Sequence, residues 1–316
     1  MKPTKLTEKK LAAAVRLAEA AYVDCFLSEA NCRRWFERNP NVNLEEGKTF
    51  SIEEIRIDEK VTKGRKQQLE KIFKEFEDVF AKNDDEPPIM KSEPVSFLLK
   101  EGAARKEAHC AQPTMGEHQK ELLRQYRLRG MRQGYLRRSK SKHAGRIHMC
   151  LKTPKDEIRY AWDSRMINDL LAKLAPNLPN IEHQLHKQSG NKFFFSTDAL
   201  KGYHQLALTP ETSEMLAVWL DDGLYEPTRL TEGSKNAGVY YQAAVTRALN
   251  TLAKEVLKDV SNYADDYLVG AKTWEQFEKN VRAFLEMCRR ERITLHPAKT
   301  KISVDRLDTK LSMAKR

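Results

Sequence analysis

Apolar positions along the chain follow two periods. Between Leu6 and Ala30, Leu11, Val15, Leu17, Ala21 and Phe26 recur at helical spacing, which predicts an amphipathic helix with Thr7 as a candidate N-cap. The stretch "GRKQQLEKIFKEFEDVFAKN" predicts a second helix, with Leu69, Ile72, Phe73, Phe76 and Phe80 on one face. "DDEPPIMKSEP" then reads as a proline-rich linker, and the main boundary is expected near it. Beyond, short strand-like runs alternate with helices. "RIHMCLK" and "EIRYAWD" predict a hairpin around "TPKD", and "KFFFSTD" a buried strand ending in Asp198. "NAGVYYQAAVTRALNTLAKEVL" predicts a helix, "VSNYADDYLVG" a second hairpin, and "WEQFEKNVRAFLEMCRRERI" another amphipathic helix. The order strand, helix, hairpin, helix points to an α+β fold, an antiparallel sheet covered by helices on one face.

Charge changes the picture more than composition does. Fifty-six Lys and Arg against 45 Asp and Glu give a net +11 over 316 residues, which suits a polyanionic partner. The excess is concentrated from Glu117 to Arg146, where Arg124, Arg127, Arg129, Arg132, Arg137 and Arg138 are interleaved with Tyr126 and Tyr135. Any one such run can be a solvated helix face followed by a loop. The density of cations, with aromatics for base stacking, favours phosphate contact and marks these arginines as candidate nucleic-acid ligands. Five scattered cysteines without a CxxC or Cys/His cluster argue against structural zinc and a disulfide framework, and for a reducing compartment. The N-terminus is too charged for a signal peptide and no apolar run reaches membrane-spanning length, so an intracellular location, cytoplasmic or nuclear, is expected without a membrane partner.

The adjacent acids of "SNYADDYLVG" bring in chemistry. A solvated turn alone would explain Asp265 and Asp266. If the strand ending at Asp198 lies beside this hairpin, however, three carboxylates meet at one sheet edge, where each raises its neighbours' pKa. A divalent cation removes that cost, and magnesium suits two carboxylates completed by waters and phosphates. Two such ions are the machinery of in-line phosphoryl transfer.

Ordered motifs around these acids carry a resemblance. "YADD" resembles the Tyr-x-Asp-Asp box of reverse transcriptases, and its neighbours match those of gypsy-like (Metaviridae) retrotransposon polyproteins in order. "RYAWDSRMIND" looks like that family's fingers motif, supplying Arg159, Asp163, Arg165 and Asn168. "DALKGYHQ" resembles the segment with the first catalytic aspartate, "YEPTRLTEGSKNAGVYYQ" the following block, and "RITLHPAKTKI" the element after the palm helix. The similarity runs from about Gln67 to Ile302.

The resemblance implies the fingers and palm of a right-handed polymerase: an RNA-directed DNA polymerase that adds dNTPs to a primer on an RNA or DNA template, with two Mg2+ (or Mn2+) ions. Residues 1–61 would be an N-terminal helical or linker segment, 62–92 a helix and proline-rich linker, and 93–316 the fingers-palm domain. It implies Asp198, Asp265 and Asp266 as the catalytic triad, with Asp198 and Asp265 as direct metal ligands. Tyr203 matches the aromatic that excludes a ribose 2′-hydroxyl; taken alone it reads as a core aromatic. Lys152 and Arg159 match cations that grip the triphosphate, Gly233 a loop beneath the nucleotide, and Gln242 a palm-helix residue near the template. Lys299 is a candidate general acid for the leaving pyrophosphate, although a solvated lysine fits that position equally well.

The chain also departs from the pattern. "TEGSKNAG" stands where the family has Pro-Phe-Gly-Leu before Asn-Ala, so Glu232 puts a carboxylate where an incoming triphosphate is expected. Gly238 replaces the usual proline, and no thumb entry follows Ile302, which implies a polyprotein fragment truncated after the palm. The alternative implied by these departures is a catalytically inactive relic that retains nucleic-acid binding.

Overall fold

A 3₁₀ turn (Ile52–Glu54), closed by a capping box between Ser51 and Glu54, leads through β1 (Arg56–Ile57) into α1 (Lys63–Glu75). The computed structural model describes residues 48–103, 107–152, 157–175 and 179–305, with backbone alone at 151, 152 and 157. The helix expected over Leu6–Ala30 and the turn "TPKD" lie outside those residues. Leu69, Ile72 and Phe73 of α1 are buried as their spacing predicts. The helix stops at Glu75, because Phe76 leaves helical geometry and the chain continues as a 3₁₀ turn (Glu77–Val79) that still delivers Phe76 and Phe80 to the core. Arg289 forks onto the Asp78 carboxylate and stacks over the Phe76 ring, holding this bend.

Next come α2 (Glu117–Arg132), β2 (Leu136–Arg138), β3 (Arg146–Lys152), β4 (Glu157–Asp163), α3 (Arg165–Leu170) and α4 (Ile181–Lys187). They are followed by β5 (Phe193–Asp198), a 3₁₀ turn (Gly202–Gln205), α5 (Pro210–Met215), β6 (Val218–Trp219) and β7 (Leu224–Pro227). The last elements are α6 (Ala237–Leu249), α7 (Lys254–Leu257), β8 (Val260–Tyr263), β9 (Asp266–Ala271), α8 (Trp274–Glu291) and β10 (Lys301–Val304). Both expected hairpins form, β3 with β4 and β8 with β9. The basic run after α2 is not a loop throughout: Leu136–Arg138 pairs antiparallel with β7, and β6 completes a three-stranded sheet.

The central sheet has the order β1-β10-β5-β9-β8 and is antiparallel except at its edge, where β1 runs parallel to β10. Alternation along β5 and β9 assigns two faces. Phe193, Phe195, Tyr267 and Val269 share one face: Phe193 meets Phe277, and Phe195 and Tyr267 meet Phe284, all under α8. Phe73 of α1 and Tyr241 of α6 reach the same side. Asp198 and Asp266 therefore point to the other face. The far end of that face is closed by the segment after α4: a Cβ on Gly270 would come within 2.1 Å of Gln188 Oε1, and glycine admits the approach. The carboxylate end has no such cover by Gln188. One continuous buried cluster runs from Ile55 to Ile302, so helix α1 and the central sheet share a core.

Candidate active site

Three elements converge on the acids. β5 and β9 pair with Asp198 opposite Asp266. Between β8 and β9 only Ala264 and Asp265 form the turn, and the Asp265 carbonyl accepts from the Ala199 N–H at 2.9 Å. This bond ties the turn to the end of β5. Ala264 takes φ 51, the left-handed value that two-residue hairpins demand and that usually calls for glycine. Asn262 compensates: its Nδ2 donates to the Ala264 carbonyl at 2.8 Å, and its Oδ1 accepts from Gln242 Nε2 at 2.6 Å. Backbone strain retained at this point is of the kind that clusters at reactive sites.

Asp198 is nearly buried, and a buried carboxylate needs a cation. Lys299 supplies one, with Nζ 2.8 Å from Oδ2. It is placed by the 3₁₀ turn Pro297–Lys299, by the Thr197–Thr300 hydroxyl contact at 2.7 Å, and by His296, whose N–H donates to the Asp198 carbonyl at 2.9 Å. Burial first, and then the charge of Lys299, push the His296 imidazole down from its ordinary range. No group of three or more His, Cys, Asp or Glu side chains able to hold a metal by themselves exists among the described residues. The donor set does fit a hard divalent cation that takes two carboxylates and completes its shell with waters and substrate oxygens.

Tyr203 stands beside the same edge. Its ring lies 5.3 Å from that of Tyr241, and burial, then the nearby Asp265 charge, raise its hydroxyl pKa. It is half-buried, a position between core aromatic and open pocket wall.

A second cluster faces outward from the β3–β4 hairpin. Arg159 and Glu232 form an ion pair, and both side chains are more than half exposed. Gly233 takes φ 101, and a Cβ there would sit 2.7 Å from the Trp162 carbonyl. Asn168 locks the loop further, donating to the Gly233 carbonyl at 3.0 Å and accepting from the Lys235 N–H at 2.7 Å. Asp163 is held by Arg165 foremost, which drives its carboxyl well below the ordinary range, with His148 assisting.

The chain's matches decide the family. The family model described as "Reverse transcriptase (RNA-dependent DNA polymerase)" matches residues 150–311, just over half of the sequence. This chain belongs to the reverse transcriptase family. Relatives include the "Retrovirus-related Pol polyprotein from transposon 412" of Drosophila melanogaster, 30% identical over 46% of this chain and 12% of its own length. The polyprotein P3 of Commelina yellow mottle virus is 27% identical over 50% of this chain and 8% of its own. Pol polyproteins of the Drosophila transposons 297, opus and gypsy also match. The chain thus spans between 8% and 25% of the length of the polyproteins it resembles. Among solved structures, the foamy viral protease-reverse transcriptase bound to double-stranded DNA superposes with a TM-score of 0.70 at 16% identity, covering 82% of this chain and 43% of that one. The same protein with an RNA/DNA hybrid gives 0.68 at 17% identity, covering 82% and 33%. These superpositions establish the fold.

Within this reverse transcriptase chain, the remaining candidates fall in different places. Lys152 ends β3 in register with Glu157. Gln242 is buried beneath the turn, bonded to Asn262 and to Thr246, so it braces the acids from below and does not line an open pocket. Four of the six arginines hold acids of other segments. Arg127 forks onto Asp221 at 2.7 and 2.9 Å, Arg137 pairs with Glu226, Arg138 with Asp222, and Arg129 with Asp84 and Asp85. Arg124 makes an i,i+3 pair with Glu121, and Arg132 is exposed. Tyr135 is buried, and its hydroxyl meets that of Tyr126, so this pair is core and not a stacking platform. No helix among the described residues is long and apolar enough to cross a membrane.

Sequence reasoning passed over Asn262, Glu86 and His204. The first is signalled only by an amide preceding a left-handed alanine. The other two are joined by a contact spanning 118 positions, for which the local sequence carries no signal.

Proposed function

We propose that this domain is an RNA-directed DNA polymerase, adding deoxynucleotides to a primer 3′-hydroxyl on a nucleic-acid template. The observation that carries the reading is the meeting of Asp198, Asp265 and Asp266 at the end of β5 and β9, with Lys299 against Asp198. Two Mg2+ or Mn2+ ions held by Asp198 and Asp265 would supply charge neutralisation at the phosphates and acidify the attacking hydroxyl.

The chain's own residues would do the rest. Arg159 exchanges Glu232 for the triphosphate; the pair is exposed and worth little in water, so the exchange costs little. Lys152, at the end of β3, adds a second cation. Gly233 keeps the loop backbone close to the Trp162 carbonyl, leaving room above it for the nucleotide. Tyr203, wedged against Tyr241, closes the sugar side of the site against a 2′-hydroxyl. Lys299 leaves Asp198 and gives its proton to the departing pyrophosphate. Asp266 and the buried Gln242 support the turn that carries Asp265. Arg124 and Arg132, on the exposed face of α2, are the arginines freest to contact template phosphates. On this reading the fingers and palm would correspond to residues 93–316, preceded by the helix and proline-rich stretch of 62–92.

The foamy viral neighbours are described as complexes with double-stranded DNA and an RNA/DNA hybrid, which supports a primer–template as the partner of this chain. Extension of oligo(dT) on poly(rA) with Mg2+ or Mn2+, beside an Asp265→Asn control, tests the reading. Extension that the control abolishes is expected. No extension, with salt-sensitive RNA binding retained, overturns it.

A further inference from the structure

The proline-rich stretch is a strap held through its carbonyls and carboxylates by two groups of side chains. On one side, Arg129 of α2 donates to the Asp84 carbonyl at 2.7 Å, and Gln133 bonds the Asp85 carboxylate. On the other, Lys201 Nζ donates to the same Asp84 carbonyl at 2.7 Å, and Arg229 bonds the Pro87 and His204 carbonyls. At its centre, the Glu86 carboxylate, with only 6% of its side chain exposed, accepts from His204 Nδ1 at 2.9 Å and from Lys201 Nζ at 3.3 Å. Burial alone would raise the Glu86 pKa; the bond and charge of His204, with Lys201, outweigh it and bring the group down to about 2.

Lys201 and His204 bracket Gly202 and Tyr203. Lys201 holds a left-handed φ of 44, which a non-glycine residue keeps only when its surroundings enforce it. The His204 ring stacks on Tyr135 at 4.7 Å. A Cβ on Gly202 would lie 2.8 Å from the Tyr241 hydroxyl, so the turn is pressed against α6. One buried carboxylate thus grips both ends of the short turn that presents Tyr203, while Tyr241 fixes the ring.

We infer that Glu86 is a positioning residue for sugar selection: by clamping Lys201 and His204 it holds the Tyr203 ring at a fixed height beside Asp265. The inference rests on Tyr203 being the residue that excludes a 2′-hydroxyl. Displacement of such a wall by about 1 Å is enough to change rates by about 100-fold.

The test compares dGTP with GTP for single-nucleotide extension opposite cytosine by the 316-residue chain. Glu86→Gln, Glu86→Asp, Lys201→Met and Tyr203→Ala are run beside the native protein, and thermal unfolding is followed for each. Glu86→Gln and Lys201→Met are expected to lower the dGTP preference in kcat/KM by about 10-fold, mainly by raising use of GTP, with kcat for dGTP within about 3-fold of native. Glu86→Asp is expected to recover part of the preference. A merely structural role would lower both nucleotides together. If Tyr203→Ala abolishes the preference while folded Glu86→Gln and Lys201→Met keep it, the inference is overturned and the reading of Tyr203 stands. If Tyr203→Ala keeps the native preference, or the native chain has none, that reading fails and takes the inference with it. Should Glu86→Gln not fold, Lys201→Met removes the same clamp from its other end and decides the question.

Discussion

Two acid–base pairs of this reverse transcriptase chain look alike on paper and differ in everything that matters. Lys299–Asp198 closes on a carboxylate with 10% of its side chain exposed, whereas both members of Arg159–Glu232 are more than half exposed. Asp198 sits at the end of a central strand, its backbone fixed by β9 on one side and by the His296 N–H besides. A carboxylate held there, out of water, is costly unless a cation stands against it, and Lys299 does so at 2.8 Å. Arg159 and Glu232 are screened by water, and their mutual attraction is of the order of 0–1 kcal/mol. Under the proposed function, the enclosed acid is the one suited to hold a cation, and the exposed arginine the one suited to change partners.

The largest break in that comparison comes from the acid itself. Asp198→Asn keeps the shape and removes the charge, and is expected to cost about 1,000-fold in primer extension while leaving Lys299 without its counter-ion. Thermal unfolding should show the protein still folded. Next comes the support of the turn. Asn262→Ala removes the amide that steadies Ala264 and leaves the buried Gln242 amide with Thr246 as its remaining side-chain partner. A loss of about 2 kcal/mol in urea unfolding is expected, with extension falling more steeply than stability alone accounts for.

The comparison is sharpened by pH. Glu86 falls from its ordinary 4.5 to about 2 in the folded chain, because pairing outweighs burial. A carboxyl depressed on folding stabilises the protein above its unfolded pKa, and that contribution is lost as pH falls from about 4.5 toward 2. Urea unfolding at pH 5 and pH 3 is expected to show a steeper loss for the native chain than for Glu86→Gln. The smallest effect belongs to the exposed pair. Glu232→Gln frees Arg159 for phosphate and is expected to lower the KM for dNTP by about 3-fold, equivalent to under 1 kcal/mol, with kcat nearly unchanged.

How much of this was legible in the sequence follows the same divide. Strand period predicted "KFFFSTD" and the "VSNYADDYLVG" hairpin separately; that they lie side by side was a condition the residues alone left open, and the pairing of β5 with β9 meets it by setting Asp198 opposite Asp266. Alternation then fixed which face they occupy. The arginines of Glu117–Arg146 were counted without their partners. Asp221 lies 94 positions from Arg127, so a local charge count treats a buried fork as a free cation. The strap was opaque for a related reason: prolines and acids announce a linker, and only the folded chain brings Lys201 and His204 to Glu86 across more than 110 positions. Gln242 carried a helical period but no sign of the amide beneath the turn.

The central claim is that the β5–β9 edge takes a divalent cation where Lys299 now faces Asp198. Electron paramagnetic resonance of Mn2+ titrated into the chain with primer–template and dNTP tests it directly. Saturable Mn2+ binding that Asp265→Asn weakens at least about 10-fold, and that Lys299→Met leaves intact, is the predicted result. Binding of equal strength in the native chain and in Asp265→Asn would contradict the account.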